Sequence, residues 1–565
     1  MASATTMSFA GLGYRFTRGG HFHPWLVSLM LLSTLLAVPV VCILLSVFLP
    51  SGDVWQHLYS TVLSSYVLNS LQLVAGVGML ALLLGTVPAW LVTMYQFPGR
   101  QMLSWSLLLP MAIPAYIIAY TYTGLLDAAG PVQTQLREVF GWEFGDYWFP
   151  EVRSLGGAIV MLALVLYPYV YLLSRAAFLE QSVCVLEVSR SLGCGPYRSF
   201  FKVALPLARP SIIAGLSLVM METLADYGTV QYFGVATFTT GIFRTWFGLG
   251  SSVAAAQLSA VLLVFITLVI LLEAWSRRQA RYHHTSARYS RLRRKPLRGV
   301  YKVAATLACL LPLCFGFVVP ALQLSSWSLQ TWSVVVDKDF FALVGHSVEL
   351  AVMASLLALV FALFIAYGKR VLANPLSVVI VRFLNTGYAI PGTVVAVGVL
   401  IPFAWLDNRI DAWLRAHLDI SSGLLFSGTL FALVFAYLVR FLPVALNTVE
   451  AGLTKIRPSM DEAGRSMGIG RGQILRQVHV PMLRGSLLTA LLLVFVDVLK
   501  ELPATLILRP FNFNTLAIRT YELANEERLA DAASPALAIV LVGIIPVIIL
   551  SRSIARSRPG NDKHT

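Results

Sequence analysis

The stretch EVSRSLGCGPYRSFFKVALP, residues 187–206, has a second version in EAGRSMGIGRGQILRQVHVP, residues 462–481. Both begin with Glu and end with Pro, and they share Arg-Ser at positions four and five, Gly at seven and nine, and Val at seventeen. Each lies between long apolar runs. A polar segment repeated in this way within an apolar chain indicates that the chain is duplicated and that both copies do the same work.

The composition is that of a membrane protein. Of the 565 residues, 57% are hydrophobic and 12% are charged, with a mean hydropathy of +0.75. A soluble domain has about 25% charged residues, and a membrane-crossing helix needs about 20 apolar ones. We therefore predict an all-α integral membrane protein with about twelve spans. The apolar runs lie near 25–49, 66–94, 102–126, 155–176, 209–235, 251–274, 303–324, 347–368, 382–406, 422–442, 485–507 and 533–551.

The duplication extends well beyond the two polar stretches. A shift of 275 residues places METLADYGT (221–229) on VDVLKELPA (496–504), and a shift of 277 places Ala-Ile-Pro at 112–114 on the same tripeptide at 389–391. Each copy has six spans, so both copies have the same orientation and form two parallel six-helix repeats around a central pathway. The predicted divisions are 1–65 (tail and first span), 66–272 (first repeat), 273–302 (basic linker), 303–344 (seventh span and outer loop), 345–551 (second repeat) and 552–565 (tail).

The positive charges predict the topology. The net charge is +15, and ten Lys or Arg lie between residues 277 and 302, in the linker between spans six and seven. Cytoplasmic loops of membrane proteins carry the excess of Lys and Arg. This places the linker, both termini and both polar stretches in the cytoplasm, and it explains the charge without a nucleic-acid partner.

Each polar stretch predicts a helix-turn-helix at the cytoplasmic surface. In the second copy, Ser459 or Asp461 can cap a first short helix, and Gly468 and Gly470 can end it. A second helix over 472–480 should stop at Pro481. The alternative is a pair of ordinary interfacial loops, but such loops diverge faster than the spans around them, and here they match best.

The second stretch resembles the EAA loop of ABC-importer permeases, E-A-A-x-x-x-G followed by a proline, although Gly464 takes the third position. The resemblance implies the MetI-like fold of type I importers and an ATPase-coupling role for both loops. The residues that match are Glu187, Gly193 and Pro206 in the first loop and Glu462, Ala463, Gly468 and Pro481 in the second.

The resemblance also implies partners and a location. Two copies of an ATPase subunit would dock on the two loops, and a periplasmic binding protein would deliver the substrate to a multi-pass protein of the inner membrane, surrounded by lipid. The chain has no G-x-x-x-x-G-K-[ST] stretch. We therefore expect a transporter subunit without enzymatic activity or cofactor of its own, with ATP and Mg²⁺ bound by the partner.

Fused double permeases of this length resemble the ferric-iron importers. Thiamine, polyamine, sulfate and phosphonate permeases share much of the same architecture, so they are the alternatives for the substrate.

Carboxylates inside membrane spans usually face a cavity or a partner, and hard cations prefer oxygen ligands. The predicted pathway residues, with no metal stably bound, are Glu222, Asp226, Asp497, Glu501 and Glu349. A structural role is the alternative, for example pairing of Lys500 with Asp497 or Glu501. A 6+6 ion-coupled secondary transporter is a further alternative, which the twin loops disfavour.

Overall fold

A computed structural model describes residues 24–180, 195–278, 294–372 and 374–556, and these residues are predominantly helical. The first half contains α1 Pro24–Ser46, α2 Asp53–Thr61, α3 Leu63–Met94, α4 Arg100–Ser106, α5 Ala115–Leu126, α6 Pro131–Phe140, α7 Leu155–Glu180, α8 Pro196–Ser199, α9 Leu205–Ala225, α10 Gly228–Tyr232, α11 Phe238–Phe243 and α12 Ser252–Arg278. A short parallel pairing joins β1 (Tyr95–Gln96) to β2 (Lys295–Pro296).

The second half repeats this order. It contains α13 Val300–Leu313, α14 Val319–Val335, α15 Lys338–Leu372, α16 Pro375–Asn385, α17 Gly392–Leu418, α18 Leu430–Leu453, α19 Pro458–Ser466, α20 Arg471–Ile474, α21 Val480–Met482, α22 Arg484–Leu499, α23 Pro503–Leu508, α24 Leu516–Asn525 and α25 Ala533–Arg556.

The predicted membrane fold is confirmed. Among the described residues, nine helices are long and apolar enough to cross a membrane. Two bent pairs, Arg100–Ala112 with Ala115–Phe140 and Arg471–Met482 with Arg484–Leu499, and the shorter apolar stretch Ala533–Ile549 account for the remaining apolar runs. All twelve runs therefore correspond to helical segments.

Several spans are interrupted where the sequence predicted continuous helices. The third run bends by 93° between Ala112 and Ala115. The residue before a proline is pushed out of the helical region, and both Ile113 and its counterpart Ile390 are extended, with ψ of 119° and 124°. The runs predicted at 209–235 and 485–507 are broken as well, because α9 ends at Ala225 and α22 ends at Leu499.

The two hydrophobic cores do not coincide with the two sequence repeats. The first core combines residues 73–243 with residues 305–324 and 502–547, and the second combines residues 29–66 and 221–266 with residues 350–508. Each core thus takes the middle four spans of one half together with the first and last spans of the other half. The halves are intertwined.

Side-chain contacts show how the exchanged spans are held. At the start of α1, Trp25 stacks on Phe364 of α15 with ring centroids 5.0 Å apart. Further along, Gly398 of α17 permits close approach of α1, since a Cβ there would lie 2.6 Å from the carbonyl oxygen of Pro39. In the other core, Tyr122 of α5 donates a 2.6 Å hydrogen bond to the carbonyl of Phe315, in the π-helical turn between α13 and α14.

Candidate functional site

A cavity of about 130 Å³ lies between the two halves, next to the interruptions of the spans. Its wall contains residues from both repeats and includes charged groups of both signs. The lining residues with polar or ionisable side chains are Tyr116, Tyr169, Glu222, Asp226, Tyr227, Tyr388, Arg440, Asp497, Lys500 and Glu501.

Four of the five predicted pathway acids meet in this cavity. Glu222 and Asp226 come from the end of α9, and Asp497 and Glu501 come from the matching end of α22. Glu349 does not join them, because it lies on α15 with an exposed side chain and is not part of the cavity wall. The end of one interrupted span in each half therefore positions one pair of acids.

Asp226 and Glu501 hold the same structural position in the two halves. Asp226 accepts hydrogen bonds from the backbone N–H groups of Thr229 and Val230, both at 3.1 Å, at the start of α10. Glu501 accepts one from the N–H of Ala504, also at 3.1 Å, at the start of α23. Each carboxylate thus satisfies free N–H groups in the first turn of a short helix. This explains why both spans are interrupted next to an acid.

The second-half acids are ion-paired. Lys500 Nζ lies 2.8 Å from Asp497 Oδ1, and Arg440 Nη1 donates to Glu501 Oε1 at 2.8 Å. Gly392, the first residue of α17, makes room for the second pair, since a Cβ there would overlap both Arg440 Nη1 and Glu501 Oε1. The predicted alternative of a structural pairing between Lys500 and Asp497 is therefore what the structure contains.

Glu222 is the exception among the four acids. Within the described part of the chain its half-buried carboxylate makes neither a hydrogen bond nor a salt bridge. It lies within electrostatic range of Tyr169 and Tyr388. The hydroxyl of Tyr116, a residue only 6% exposed, lines the same cavity and also lacks a hydrogen-bond partner. In the described part of the chain, the Glu222 carboxylate and the Tyr116 hydroxyl thus lie at the cavity without a bonded partner.

The second polar stretch forms the predicted helix-turn-helix. Gly468 has φ of +76°, and its N–H bonds the carbonyl of Arg465, while the N–H of Ile469 bonds that of Gly464. These two bonds form the Schellman pattern that ends many helices. The loop residues Glu462, Ala463, Gly468 and Pro481 are all exposed.

Three details of that stretch differ from the prediction. The first helix begins at Pro458, one residue after its N-cap Arg457, so neither Ser459 nor Asp461 caps it. Proline is favoured in the first turn of a helix. The second helix does not stop at Pro481 but continues to Met482. A π-helical turn over Leu475–His479 precedes the proline and changes the hydrogen-bonding register there.

Arg370, at the end of α15, ties the second loop to the helix bundle. Its guanidinium donates to the carbonyls of Leu453 and Ile456 at the end of α18, at 2.6 and 3.0 Å, and to Asp461 of α19 at 2.8 Å. The buried His479 contacts the other oxygen of Asp461. We call Arg370, Asp461 and His479 the loop clamp.

A family model described as the inner membrane component of binding-protein-dependent transport systems matches residues 79–282 and again residues 354–560. The chain belongs to this family. The two matches follow the duplication seen in the sequence, so the protein is a fused double permease and a multi-pass inner-membrane component.

Curated relatives cover the chain to different extents. The permease is 26% identical over 541 residues to the Fe(3+)-transport system permease protein FbpB 2 of Haemophilus influenzae, covering 93% of this chain and 98% of that protein. It is 22% identical to the putative ferric transport system permease protein FbpB 1 of the same organism, over 85% and 76% of the two chains. A molybdenum transport system permease, ModB of Escherichia coli, is 26% identical but aligns with only 38% of this chain, and with 93% of its own.

The beginning of the first loop of the permease, residues 187–194 with Glu187 and Gly193, lies outside the described residues. Pro206 is described and exposed, and it follows a π-helical turn over Phe200–Ala204 that matches the turn of the second loop at a shift of 275 residues. In the first half, α9 follows this turn as one helix from Leu205 to Ala225. In the second half, the corresponding segment is divided into α21 and α22.

The sequence of the first half lacks the three residues of the loop clamp. Thr93, Leu186 and Ala204 occupy the positions of Arg370, Asp461 and His479. Instead, Trp90 packs against Phe178 and Phe200, with ring centroids 5.2 and 4.9 Å apart. The second loop has aromatic packing as well, since Tyr367, at the position of Trp90, packs on His479 with ring centroids 5.4 Å apart. Among the described residues, the ion pairs of the loop clamp are thus an addition in the second half.

On the opposite face of the permease, Arg153 joins the two halves. Its guanidinium lies 2.8 Å from Glu527, 3.9 Å from Asp127 and over the ring of Tyr232. Burial lowers the pKa of this guanidinium. The hydrogen bond to Glu527 and the nearby anionic groups raise the pKa by more than burial lowers it, so the pKa of Arg153 lies above its usual value.

The sequence analysis missed Arg440 and Arg370. Arg440 lies in the middle of the apolar run FALVFAYLVRFLP, and a charge inside a membrane span indicates a buried partner or a cavity. The sequence alone therefore contained a signal for Arg440. Arg370 carried no such signal, because basic residues at the end of a span are ordinary.

Proposed function

We propose that this permease carries ferric iron, delivered by a periplasmic binding protein, across the inner membrane in an importer driven by ATP hydrolysis on a separate ATPase. One observation supports the cargo above all: the cavity between the halves is lined by four carboxylates and only two basic groups, Arg440 and Lys500. An excess of carboxylate and tyrosine oxygens suits a hard cation.

The charge and size of the cavity discriminate between the alternatives. Molybdate and sulfate are anions, and the excess of acids repels them. Thiamine and other organic cargoes usually need pockets of about 300–1,000 Å³, whereas this cavity measures about 130 Å³. The names of the two Haemophilus influenzae relatives that align with most of the chain also favour iron.

Two ATPase subunits would dock on the two loops. In the second loop, α19 presents Glu462 and Ala463 to solvent, while the loop clamp fixes the opposite side of the helix to the bundle. A force applied to α19 would reach α22 through the short helices α20 and α21. Because α22 carries Asp497 at its far end, a movement of the loop would displace the cavity wall.

Uptake by a reconstituted complex tests this proposal. Proteoliposomes would contain the permease and its ATPase, with binding protein loaded with ⁵⁵Fe³⁺ outside and ATP–Mg²⁺ inside. We expect ATP-dependent accumulation of iron, and none with an ATPase whose catalytic Glu is replaced by Gln. Binding proteins loaded with thiamine or molybdate serve as controls. Accumulation of either one without iron would overturn the ferric assignment and leave the importer class intact.

A further inference from the structure

The acids of the cavity are duplicated but their counter-charges are not. Asp497 and Glu501 in the second half correspond to Glu222 and Asp226 in the first half. The basic groups that bind the second pair, Lys500 and Arg440, correspond to Ala225 and Val165, and both of these apolar residues also line the cavity. Ala115 likewise stands at the position of Gly392, which makes room for Arg440.

This asymmetry determines which carboxylates are available to a cation. Asp497 is held by Lys500 at 2.8 Å, and Glu501 is held by both Arg440 and the N–H of Ala504. Asp226 is engaged by Thr229 and Val230. Among the described residues of the cavity, Glu222 is left as the carboxylate without a bonded partner.

A second observation points to a ligand at the same place. The Tyr116 hydroxyl lines the cavity, is almost completely buried and lacks a hydrogen-bond partner. A buried hydroxyl without a partner is costly unless something binds it. Tyr116 belongs to the first half, as does Glu222. Lys500 lies within electrostatic range of Glu222 but is bonded to Asp497, so among the described residues Glu222 and Tyr116 are first-half oxygen groups of the cavity without a bonded partner.

We propose that the cation crosses the cavity on the first-half side, with Glu222 as its transient carboxylate ligand, while Lys500 and Arg440 keep the second-half carboxylates out of coordination. This inference rests on the proposed transport of a hard cation. One free carboxylate instead of four fits a pathway, because conduction requires sites that bind weakly enough to release the ion. Four free acids would bind the ion too tightly for release.

Paired substitutions in the reconstituted complex test the assignment. Glu222→Gln keeps the size of the side chain and removes the charge, and we expect iron uptake to fall by about tenfold or more, as for loss of a ligand-level contact. The control is Asp497→Asn/Lys500→Met, which removes the matched acid together with its counter-charge. Replacing a buried ion pair is often neutral, so we expect a much smaller loss of uptake than in Glu222→Gln.

A rescue experiment separates ligation from a structural role. In the variant Glu222→Gln/Lys500→Met, Asp497 loses its partner and becomes free at the position that mirrors Glu222. We expect it to recover most of the uptake that Glu222→Gln loses. Equal uptake by Glu222→Gln and the wild type, equal losses in Glu222→Gln and the paired control, or no recovery in the rescue variant would each overturn the one-sided assignment.

A binding measurement on the isolated permease does not depend on transport. Tb³⁺, a hard trivalent cation, gives luminescence when excited through a nearby tyrosine, and La³⁺ serves as the silent competitor. We expect tyrosine-sensitised Tb³⁺ emission that is lost in Glu222→Gln and kept in Asp497→Asn/Lys500→Met. Emission unchanged by Glu222→Gln contradicts the assignment. Failure of wild-type iron uptake together with the expected Tb³⁺ result would instead refute the ferric cargo and keep the cation site.

Discussion

At the scale of single residues, two glycines meet requirements that other residues meet only at a cost. Gly392 leaves the space in which Arg440 meets Glu501, and Gly468 adopts a left-handed backbone that ends α19. The first glycine is needed for close packing and the second for its backbone conformation. Their substitution should therefore have different consequences.

Gly392→Ala should destabilise the permease by breaking the buried ion pair. The added Cβ overlaps atoms of both Arg440 and Glu501, and separating such a pair leaves buried charge unpaired, at a cost of about 3–5 kcal/mol. Thermal unfolding of the purified permease would show a lower midpoint. Gly472→Ala, where a Cβ meets open space, is the control. Equal midpoints for the two variants would contradict the role given to Gly392.

Gly468→Val should loosen the second loop. A β-branched residue at φ of +76° is strained by about 1–3 kcal/mol. Hydrogen–deuterium exchange of α19 should become faster, and ATPase stimulation by the loaded binding protein should fall. The matched control is Gly470→Val, since Gly470 has an extended backbone, with φ −67° and ψ 153°, and open space around it. Protection of α19 that survives in Gly468→Val would show that the Schellman turn is dispensable.

At the scale of elements, ion pairs hold the second loop to the bundle in addition to aromatic packing. Arg370 binds the carbonyl of Leu453, the last residue of α18, and that of Ile456 in the turn after it, and it holds the first turn of α19 through Asp461. The aromatic contacts of Trp90 occupy the corresponding place in the first half. The second loop should therefore depend on charge for its position.

Arg370→Gln should release α19 from the bundle. Hydrogen bonds that involve a charged group contribute about 1.5–3 kcal/mol, so local protection of α19 against hydrogen exchange should drop and coupled ATPase activity should fall. Lys369→Gln is a neighbouring control, because its pair with Glu450 is partly exposed and such pairs contribute about 0–1 kcal/mol. If both variants behave alike, Arg370 is an ordinary surface cation.

At the scale of the whole molecule, each core is completed by spans from the other half. The first and last spans of one repeat cover the middle spans of the other. Neither half can bury its own apolar surface alone. Fusion in one chain keeps the two halves at a fixed ratio and close together.

Splitting the chain within the linker should test this interdependence. We expect residues 1–285 and 286–565 to be unstable when expressed separately, because each exposes the surface that the exchanged spans cover. When they are expressed together, they should assemble and co-purify. A single half that accumulates as a stable, well-folded monomer would contradict the exchange of spans.

The predicted topology is also a property of the whole chain. Reporter fusions at Arg288 and at the C-terminus should both give a cytoplasmic signal, because the linker and the tail carry the positive charges that stay inside. A fusion in the loop between α6 and α7 should report the outside. A periplasmic signal from the linker or the C-terminus would invert the topology and remove the loops from the reach of an ATPase.

The class of the protein, its duplication and the four matched acids can be read from the amino-acid sequence. These features depend on local composition and on comparison of the chain with itself, so apolar runs of span length and shifts of 275 and 277 residues were sufficient. The glycine turn at Gly468 was equally local, because it follows from the backbone preference of one residue.

Which acids are free and which spans share a core depends on contacts that form only in the folded protein. Lys500 is three residues from Asp497, but Arg440 is 61 residues from Glu501 in sequence, and no periodic pattern predicts that these two side chains meet. The exchange of spans likewise depends on packing across hundreds of residues. In a membrane, every span is apolar enough to face lipid, so hydropathy alone cannot indicate which partner a helix chooses.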